Sequence, residues 1–83
     1  MNKEDVRNDL KEIFVQCSLI DETESDITVI EKMGAEIDSF TYISIILEIE
    51  NRFDIEIPDE YLGTNLLSSI DSLCEIILEL LAN

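Results

Sequence analysis

An all-α fold, a four-helix bundle with three longer helices, one short helix and a long first loop, is predicted by three features of the sequence. Apolar residues recur every three or four positions in three segments, and strand-like alternation is nowhere sustained. The helix breakers Gly34, Pro58 and Gly63 fall between those segments. The 83 residues suffice for a single domain, which we assign to residues 1–83.

The first helix is predicted to begin after Asn2, a favoured N-cap followed three residues later by Asp5, and to run to about Cys17 or Ser18. Its apolar residues fall on one stripe: Val6, Leu10, Ile13, Phe14 and Cys17. Residues 18–38 lose this rhythm and contain a polar run at residues 21–26. Because apolar anchors recur there, this segment is predicted to be an ordered loop, with a turn at Gly34. The anchors are Ile27, Ile30 and Met33.

The second helix is predicted from Asp38 or Ser39 to about Phe53, because no Gly or Pro interrupts it. Its inner stripe is Tyr42, Ile45, Ile46, Ile49 and Phe53. Pro58 predicts the start of a short third helix over residues 59–62, which Gly63 can end. The last helix opens at Ser68 or Ser69, with an acidic first turn. Its buried stripe is Ile70, Leu73, Cys74, Ile77, Leu80 and Leu81.

The charge balance is strongly acidic, with 20 Asp and Glu against five Lys and Arg and a formal net charge of −15. Such a surface repels nucleic acids and anionic membranes and is attracted to basic patches on other proteins. The first eleven residues hold no apolar segment of the length that a signal peptide needs, and no apolar run could span a bilayer. We therefore expect a cytoplasmic monomer that neither binds nucleic acid nor inserts into membranes.

Conventional catalysis has little support in this sequence. The chain contains no His to act as a base near neutral pH, no nucleophile elbow and no phosphate-binding glycine loop. A calcium loop over residues 21–32 fails, because Asp26 and Lys32 occupy the positions that require Gly and Glu. Cys17 and Cys74 lack paired metal-ligand spacing and are expected to be free core residues. We expect a non-catalytic protein with no metal site.

The residues best placed to carry chemistry are Asp38 and Ser39, at the predicted start of the second helix. A serine there exposes its hydroxyl where the helix dipole and free backbone N–H groups favour an anion. A phosphodiester on Ser39 would benefit from that field. The alternative is that Ser39 only caps the helix, with Asp38 as a second candidate for that role.

The wider context resembles the acyl carrier protein family. Asp38-Ser39-Phe40, an amphipathic helix ending in Glu50-Asn-Arg-Phe53 and an acidic segment closing on Ile57-Pro58 follow that family's order and spacing. The resemblance covers most of the chain. It implies that a phosphopantetheinyl transferase attaches 4'-phosphopantetheine from coenzyme A to Ser39. The arm's thiol would then carry an intermediate as a thioester, loaded by an acyl- or aminoacyl-loading enzyme and used by downstream synthase enzymes.

The cargo is left open by two departures from the family pattern. Glu36 stands where the family commonly has Gly, and Phe40 stands where fatty-acid carriers usually have Leu. Asp-Ser-Phe together with residues 49–55 looks closer to D-alanyl carrier proteins, whereas residues 56–61 look more like general acyl carriers. The expected role is a free-standing carrier in fatty-acid, polyketide or nonribosomal-peptide-type biosynthesis. The alternatives are a D-alanyl or other aminoacyl carrier, or a small acidic helical adaptor without a prosthetic group.

A partner-binding face is expected on the second helix, which carries more apolar residues than one inward face needs. Phe40, Ile43 and Leu47 lie on a stripe beside the core stripe, and either complete the core or dock partner enzymes. Acidic contacts to Lys or Arg of a partner would come from Glu48, Glu50, Asp54 and Glu56, or these residues form a solvated face. The resemblance also implies a core that admits an acyl chain, with Ile45, Ile49, Ile70 and Leu73 as candidate lining residues.

Overall fold

Three amphipathic helices supply most of the core in the computed structural model, which describes residues 2–33, 36–62 and 66–82. Within those ranges the secondary structure is entirely helical, with three long helices and two short ones. The helices are α1 (Lys3–Gln16), α2 (Val29–Met33), α3 (Ser39–Phe53), α4 (Asp59–Leu62) and α5 (Ile70–Leu81), and a 3₁₀ turn, Leu66–Ser68, precedes α5. The predicted all-α fold with three long helices is confirmed.

The first loop differs from the sequence prediction. The first loop was expected to lack regular structure, but it contains the five-residue helix α2. Asp26 initiates that segment, because its carboxylate accepts hydrogen bonds from the Thr28 N–H (3.0 Å) and hydroxyl (2.6 Å). These bonds also lower the pKa of Asp26. The turn predicted at Gly34 and the helix stop predicted at Gly63 lie outside the described residues.

Helix α1 is fixed at both ends by local hydrogen bonds. Asn2 and Asp5 form a capping box, in which each side chain accepts the other residue's backbone N–H. At the other end Ser18 adopts the left-handed conformation, with φ of 62°. The Ser18 N–H donates to the Val15 carbonyl and the Leu19 N–H to the Phe14 carbonyl, which together form a Schellman motif. Serine therefore occupies the left-handed position of this motif, where glycine is usual.

The end of α3 is set by Asp54, which follows the helix in the left-handed conformation with φ of 54°. Asp is one of the residues that tolerate this region best. The N–H groups of Asp54 and Ile55 both donate to the Glu50 carbonyl. The Glu50 side chain then accepts the Ile57 N–H at 2.8 Å, so Glu50 secures the extended chain that leads into α4.

The core is a single cluster in which α1 packs against both α3 and α5. The 3₁₀ turn packs against α2 and α5, and α3 and α5 make few close backbone approaches to each other among the described residues. Residues with no exposed surface come from all three long helices, from α2 and from the 3₁₀ turn, and include Val6, Leu10, Phe14, Ile30, Ile45, Ile49, Leu67, Ile70, Leu73, Cys74 and Ile77. Tyr42, Leu80 and Leu81, predicted on the inner stripes, are half-buried at the edge of this cluster.

Ion pairs also join α1 to its two neighbours. Arg52 of α3 pairs with Asp9 (3.3 Å) and Glu12 of α1. On the other side Lys3 and Arg7 pair with α5, at 3.3 Å and 3.6 Å from the same carboxylate oxygen of Asp71. Exposed pairs of this kind contribute about 1 kcal/mol or less each. They supplement the apolar packing around α1.

Replacing Ser18 with Gly is expected to stabilise the protein. A non-glycine residue in the left-handed region has a steric cost of ~1–2 kcal/mol, which Gly avoids. Gly also makes the unfolded chain more flexible, and this offsets part of the gain. We expect urea unfolding to show a net gain of about 0.5–1 kcal/mol for Ser18→Gly. Ser18→Ala, the matched control, should be no more stable than the wild type, and equal stability of the Gly and Ala variants would contradict this account.

Candidate functional site

The start of α3 is fixed by Asp38. Its backbone is extended, with φ of −74° and ψ of 166°, and its Oδ1 accepts the Thr41 N–H at 2.7 Å. The Asp38 carbonyl accepts the Tyr42 N–H at 2.9 Å, which is the first hydrogen bond of the helix. The bonds from Thr41 hold the pKa of the Asp38 carboxyl below its usual range. Asp38 is therefore the N-cap.

Ser39 is consequently the first helical residue and not the cap. The alternative in which Ser39 only caps the helix is wrong, because Asp38 supplies the capping oxygen. Ser39 is exposed, and it lies at the positive end of a 15-residue helix whose first turn contains no acidic residue. Its hydroxyl is thus free of the capping role, accessible, and close to backbone N–H groups that favour a negative charge.

An apolar surface runs down α3 from this serine. Phe40 is 81% exposed, Ile43 57% and Leu47 53%. These three residues, which we call the apolar stripe, follow each other at spacings of three and four on one side of the helix. The alternative in which they complete the core face is wrong, since that face is filled by the fully or almost fully buried Ile45, Ile46 and Ile49.

The four acidic residues assigned to the partner face fall into two groups. Glu48, Asp54 and Glu56 are exposed. Glu50 is half-buried, and its Oε2 accepts the Ile57 N–H at 2.8 Å, so this carboxylate supports the chain after α3. The structure thus leaves three of these carboxylates exposed and engages the fourth in a hydrogen bond inside the protein.

Two hydrogen bonds beside this site were not foreseen from the sequence. The Tyr42 hydroxyl accepts the Leu66 N–H at 3.2 Å, and Glu31 Oε2 accepts the Ile70 N–H at 2.7 Å. For the Tyr42 bond, the sequence signal was a polar hydroxyl on an inner stripe that otherwise consists of Ile and Phe, since a tyrosine hydroxyl packed against the core usually has a hydrogen-bond partner. The second joins residues 39 positions apart, and no local pattern marked Glu31.

The candidate lining residues of an acyl site, Ile45, Ile49, Ile70 and Leu73, lie in the core with no exposed surface. Both cysteines are free; Cys74 is buried and Cys17 half-buried. Burial is the main reason why the pKa of each thiol is raised, and Glu48 raises that of Cys17 further. Both are therefore poor nucleophiles near neutral pH.

Neither a metal cluster nor a membrane span is found in the parts of the chain that the structure describes. Residues 2–33, 36–62 and 66–82 contain no group of three or more metal-ligating side chains placed to hold an ion. Over the same ranges every helix falls short of the length and apolar character that a bilayer crossing requires.

Comparison with known proteins identifies a relative of this chain. A protein named Acyl carrier protein from Sulfurovum sp. (strain NBC37-1) is 36% identical to this chain over 55 residues. The match covers 64% of the chain and 71% of that protein. This chain belongs to the acyl carrier protein family. The resemblance inferred from Asp38-Ser39-Phe40 and the Ile57-Pro58 segment is thereby confirmed at the level of the family.

The other comparisons are negative. No family model matches the chain, and no solved structure matches it. Membership in the acyl carrier protein family therefore rests on the curated relative, on the order of motifs along the chain, and on the helical fold.

The capping bond of Asp38 predicts a specific acid sensitivity. Because the pKa of Asp38 is lower in the folded than in the unfolded protein, its contribution to stability is complete above the unfolded pKa. That contribution is lost as the pH falls through the folded pKa. Asp38→Asn keeps a capping oxygen but does not titrate, so its thermal midpoint should fall less than that of the wild type between pH 6 and pH 3. Parallel curves for the two proteins would contradict this assignment.

Proposed function

We propose that the chain is a non-catalytic carrier protein that holds an acyl or aminoacyl intermediate on a 4'-phosphopantetheine arm at Ser39. The observation that carries this proposal is that Asp38 caps α3, which leaves the Ser39 hydroxyl exposed at the positive end of the helix. The similarity to a protein named Acyl carrier protein supports the carrier role.

The residues at the start of α3 fit such a group. A phosphodiester carries a negative charge, and the helix N-terminus favours an anion through its dipole and its unpaired N–H groups. The adjacent Asp38 carboxylate already accepts the Thr41 N–H, so the helix end also stabilises its charge. Ser39 Oγ would bond to the phosphorus next to the pantetheine of coenzyme A and lose its hydroxyl proton, while the pyrophosphate bond breaks and adenosine 3',5'-bisphosphate leaves. When bound, the arm supplies a thiol that holds the cargo as a thioester.

The partners of a carrier are enzymes: a phosphopantetheinyl transferase, a loading enzyme and downstream synthase enzymes. We propose that they dock on the apolar stripe beside Ser39, with Glu48, Asp54 and Glu56 facing Lys or Arg of the partner. Exposed apolar side chains surrounded by charge are typical of protein-binding surfaces. The Glu50 carboxylate would be less available to a partner than the other three, because it already accepts the Ile57 N–H.

Two classes of cargo are proposed. A fatty-acid, polyketide or nonribosomal-peptide-type intermediate is the leading proposal, and D-alanine or another amino acid is the alternative that residues 38–40 and 49–55 favour. A monomer is the state that the formal net charge of −15 supports, since like charges oppose self-association, and the cytoplasm is the proposed location. The alternative from another functional class is an acidic helical adaptor without a prosthetic group, because such a protein would also bind its partner through an exposed apolar stripe.

Arm attachment is tested by intact-mass measurement after incubation with coenzyme A and a broad-specificity phosphopantetheinyl transferase. We expect the wild type to gain one phosphopantetheine group and Ser39→Ala to gain none. Ser72→Ala is the matched control, since Ser72 is an exposed serine in the first turn of another long helix. It should be modified like the wild type, and an unchanged wild-type mass would favour the adaptor.

Docking on the apolar stripe is tested by truncating Phe40 and Leu47. Both side chains are mostly exposed, so neither Phe40→Ala nor Leu47→Ala should unfold the protein. If partners pack on them, each change should slow loading by the cognate enzyme on the order of tenfold, as for a side chain central to an interface.

The control for this test is Gln16→Ala, an exposed position on α1, which should load at the wild-type rate. Circular dichroism spectra and thermal midpoints of all three variants verify folding. Loading rates unchanged in both Phe40→Ala and Leu47→Ala would contradict the proposed docking surface.

A further inference from the structure

The side chain of Glu31, in α2, binds the start of a helix that lies far from it in the sequence. Its Oε2 accepts the Ile70 N–H of α5 at 2.7 Å, across 39 residues. Ile70 is the first residue of α5, so its N–H has no acceptor within the helix. The Ser69 hydroxyl serves as the local cap by accepting the Ser72 N–H. The Glu31 carboxylate therefore satisfies a second N–H at this helix end, where the helix dipole favours its charge.

The rest of α2 is held in the same region of the molecule. Ile30, beside Glu31, has no exposed surface and belongs to the core cluster. α2 also packs against the 3₁₀ turn Leu66–Ser68, which precedes α5. A helix of five residues gains little stability from its own hydrogen bonds, so tertiary contacts fix its position. Because a hydrogen bond to a charged group is strong and directional, the Glu31 bond specifies where α2 lies relative to the start of α5.

A short segment connects α2 to Ser39. The Met33 carbonyl, at the end of α2, accepts both the Glu36 N–H at 2.8 Å and the Ile37 N–H at 3.2 Å. Met33 and Ile37 are half-buried and pack against the core. Asp38, the next residue, caps α3, and Ser39 follows it. A displacement of α2 would therefore move the chain that leads into Asp38 and Ser39.

The α3 side of Ser39 is connected to the same stretch of chain as α2. The Tyr42 hydroxyl of α3 accepts the Leu66 N–H at 3.2 Å. Leu66 lies four residues before Ile70, whose N–H binds Glu31. The elements before and after Ser39 are thus both hydrogen bonded to residues 66–70. This stretch holds α2 and α3 in a fixed relation to each other on either side of the serine.

We propose that Glu31 is a positioning residue for the attachment of an arm at Ser39. Its bond to Ile70 holds α2 on α5, and α2 in turn orients the Asp38 cap and the Ser39 hydroxyl for the transferase. Glu31 acts through the chain from α2 to Asp38 and takes no part in the chemistry. The reaction in this inference rests on the proposed function, whereas the effect of Glu31 on the start of α3 does not.

Steady-state kinetics of arm transfer from coenzyme A, with a broad-specificity phosphopantetheinyl transferase, test this role. Glu31→Ala should raise KM for the carrier roughly threefold to tenfold and leave kcat unchanged, because a smaller fraction of the chains presents Ser39 correctly. Glu31→Gln keeps an oxygen that can accept the Ile70 N–H and should restore most of the wild-type KM. Glu22→Ala, the matched control at an exposed glutamate of the first loop, should behave as the wild type.

A stability control separates positioning from a general weakening of the fold. Ile77→Val removes one methylene group from a fully buried residue of α5, seven positions beyond Ile70. It should lower the thermal midpoint and leave KM unchanged. An unchanged KM in Glu31→Ala would overturn the positioning role. So would a KM that Ile77→Val raises as far as Glu31→Ala does, or a KM that Glu31→Gln does not restore.

Backbone amide chemical shifts test the effect on the start of α3 without a transferase. In Glu31→Ala the amides of Asp38, Ser39 and Thr41 should shift together with that of Ile70, and in Glu31→Gln they should return close to their wild-type positions. Shifts confined to Ile70 and its neighbours in α5 would overturn the inference. Shifts at Asp38 and Ser39, in a protein whose wild type gains no arm, would support the effect of Glu31 and refute the proposed function instead.

Discussion

The hydrogen bond from the Thr41 N–H to the Asp38 carboxylate determines where α3 begins, and the rest of the site depends on that choice. With the cap at Asp38, Ser39 becomes the first helical residue and its hydroxyl faces solvent. Along the helix that begins there, Ile45 and Ile49 lie on the face that packs into the core, and Phe40, Ile43 and Leu47 lie on the exposed side. Because the Asp38 carboxylate supplies the capping oxygen, the Ser39 hydroxyl is not needed as a cap and can carry the proposed arm.

The other helices make this arrangement stable. α1 packs against both α3 and α5, and its Leu10, Ile13 and Phe14 are buried in the core that the three helices share. Ion pairs also join Arg52 of α3 to Asp9 of α1, and Lys3 and Arg7 of α1 to Asp71 of α5. The long helices are thus joined mainly through α1, and side-chain hydrogen bonds from the Leu66 N–H to Tyr42 and from the Ile70 N–H to Glu31 connect the 3₁₀ turn and α5 to α3 and α2.

Much of this could be predicted from the sequence, because local chemistry determined it. The capping box at Asn2 and Asp5, the extent of α3 and the start of α5 follow from caps and apolar spacing. Helix α2 was missed, since five residues within a polar loop give too short a pattern to recognise. The left-handed turn at Ser18 was missed because serine gives no glycine signal there.

The candidate site was predictable to a similar degree. Asp38 and Ser39 were identified together, but which of them caps the helix was decided by a hydrogen bond that both side chains could have made. Glu31 and Glu50 were placed in their present roles by tertiary contacts. Partners 39 residues apart, as Glu31 and Ile70 are, leave no mark on local periodicity.

The central claim concerns one atom, the Ser39 Oγ. Its most direct test is peptide mapping by fragmentation mass spectrometry of the protein after reaction with coenzyme A and transferase, since the chain contains other exposed serines such as Ser25, Ser68 and Ser72. This account predicts that the added group resides on Ser39 alone. A group found on another serine, or on none, would contradict it.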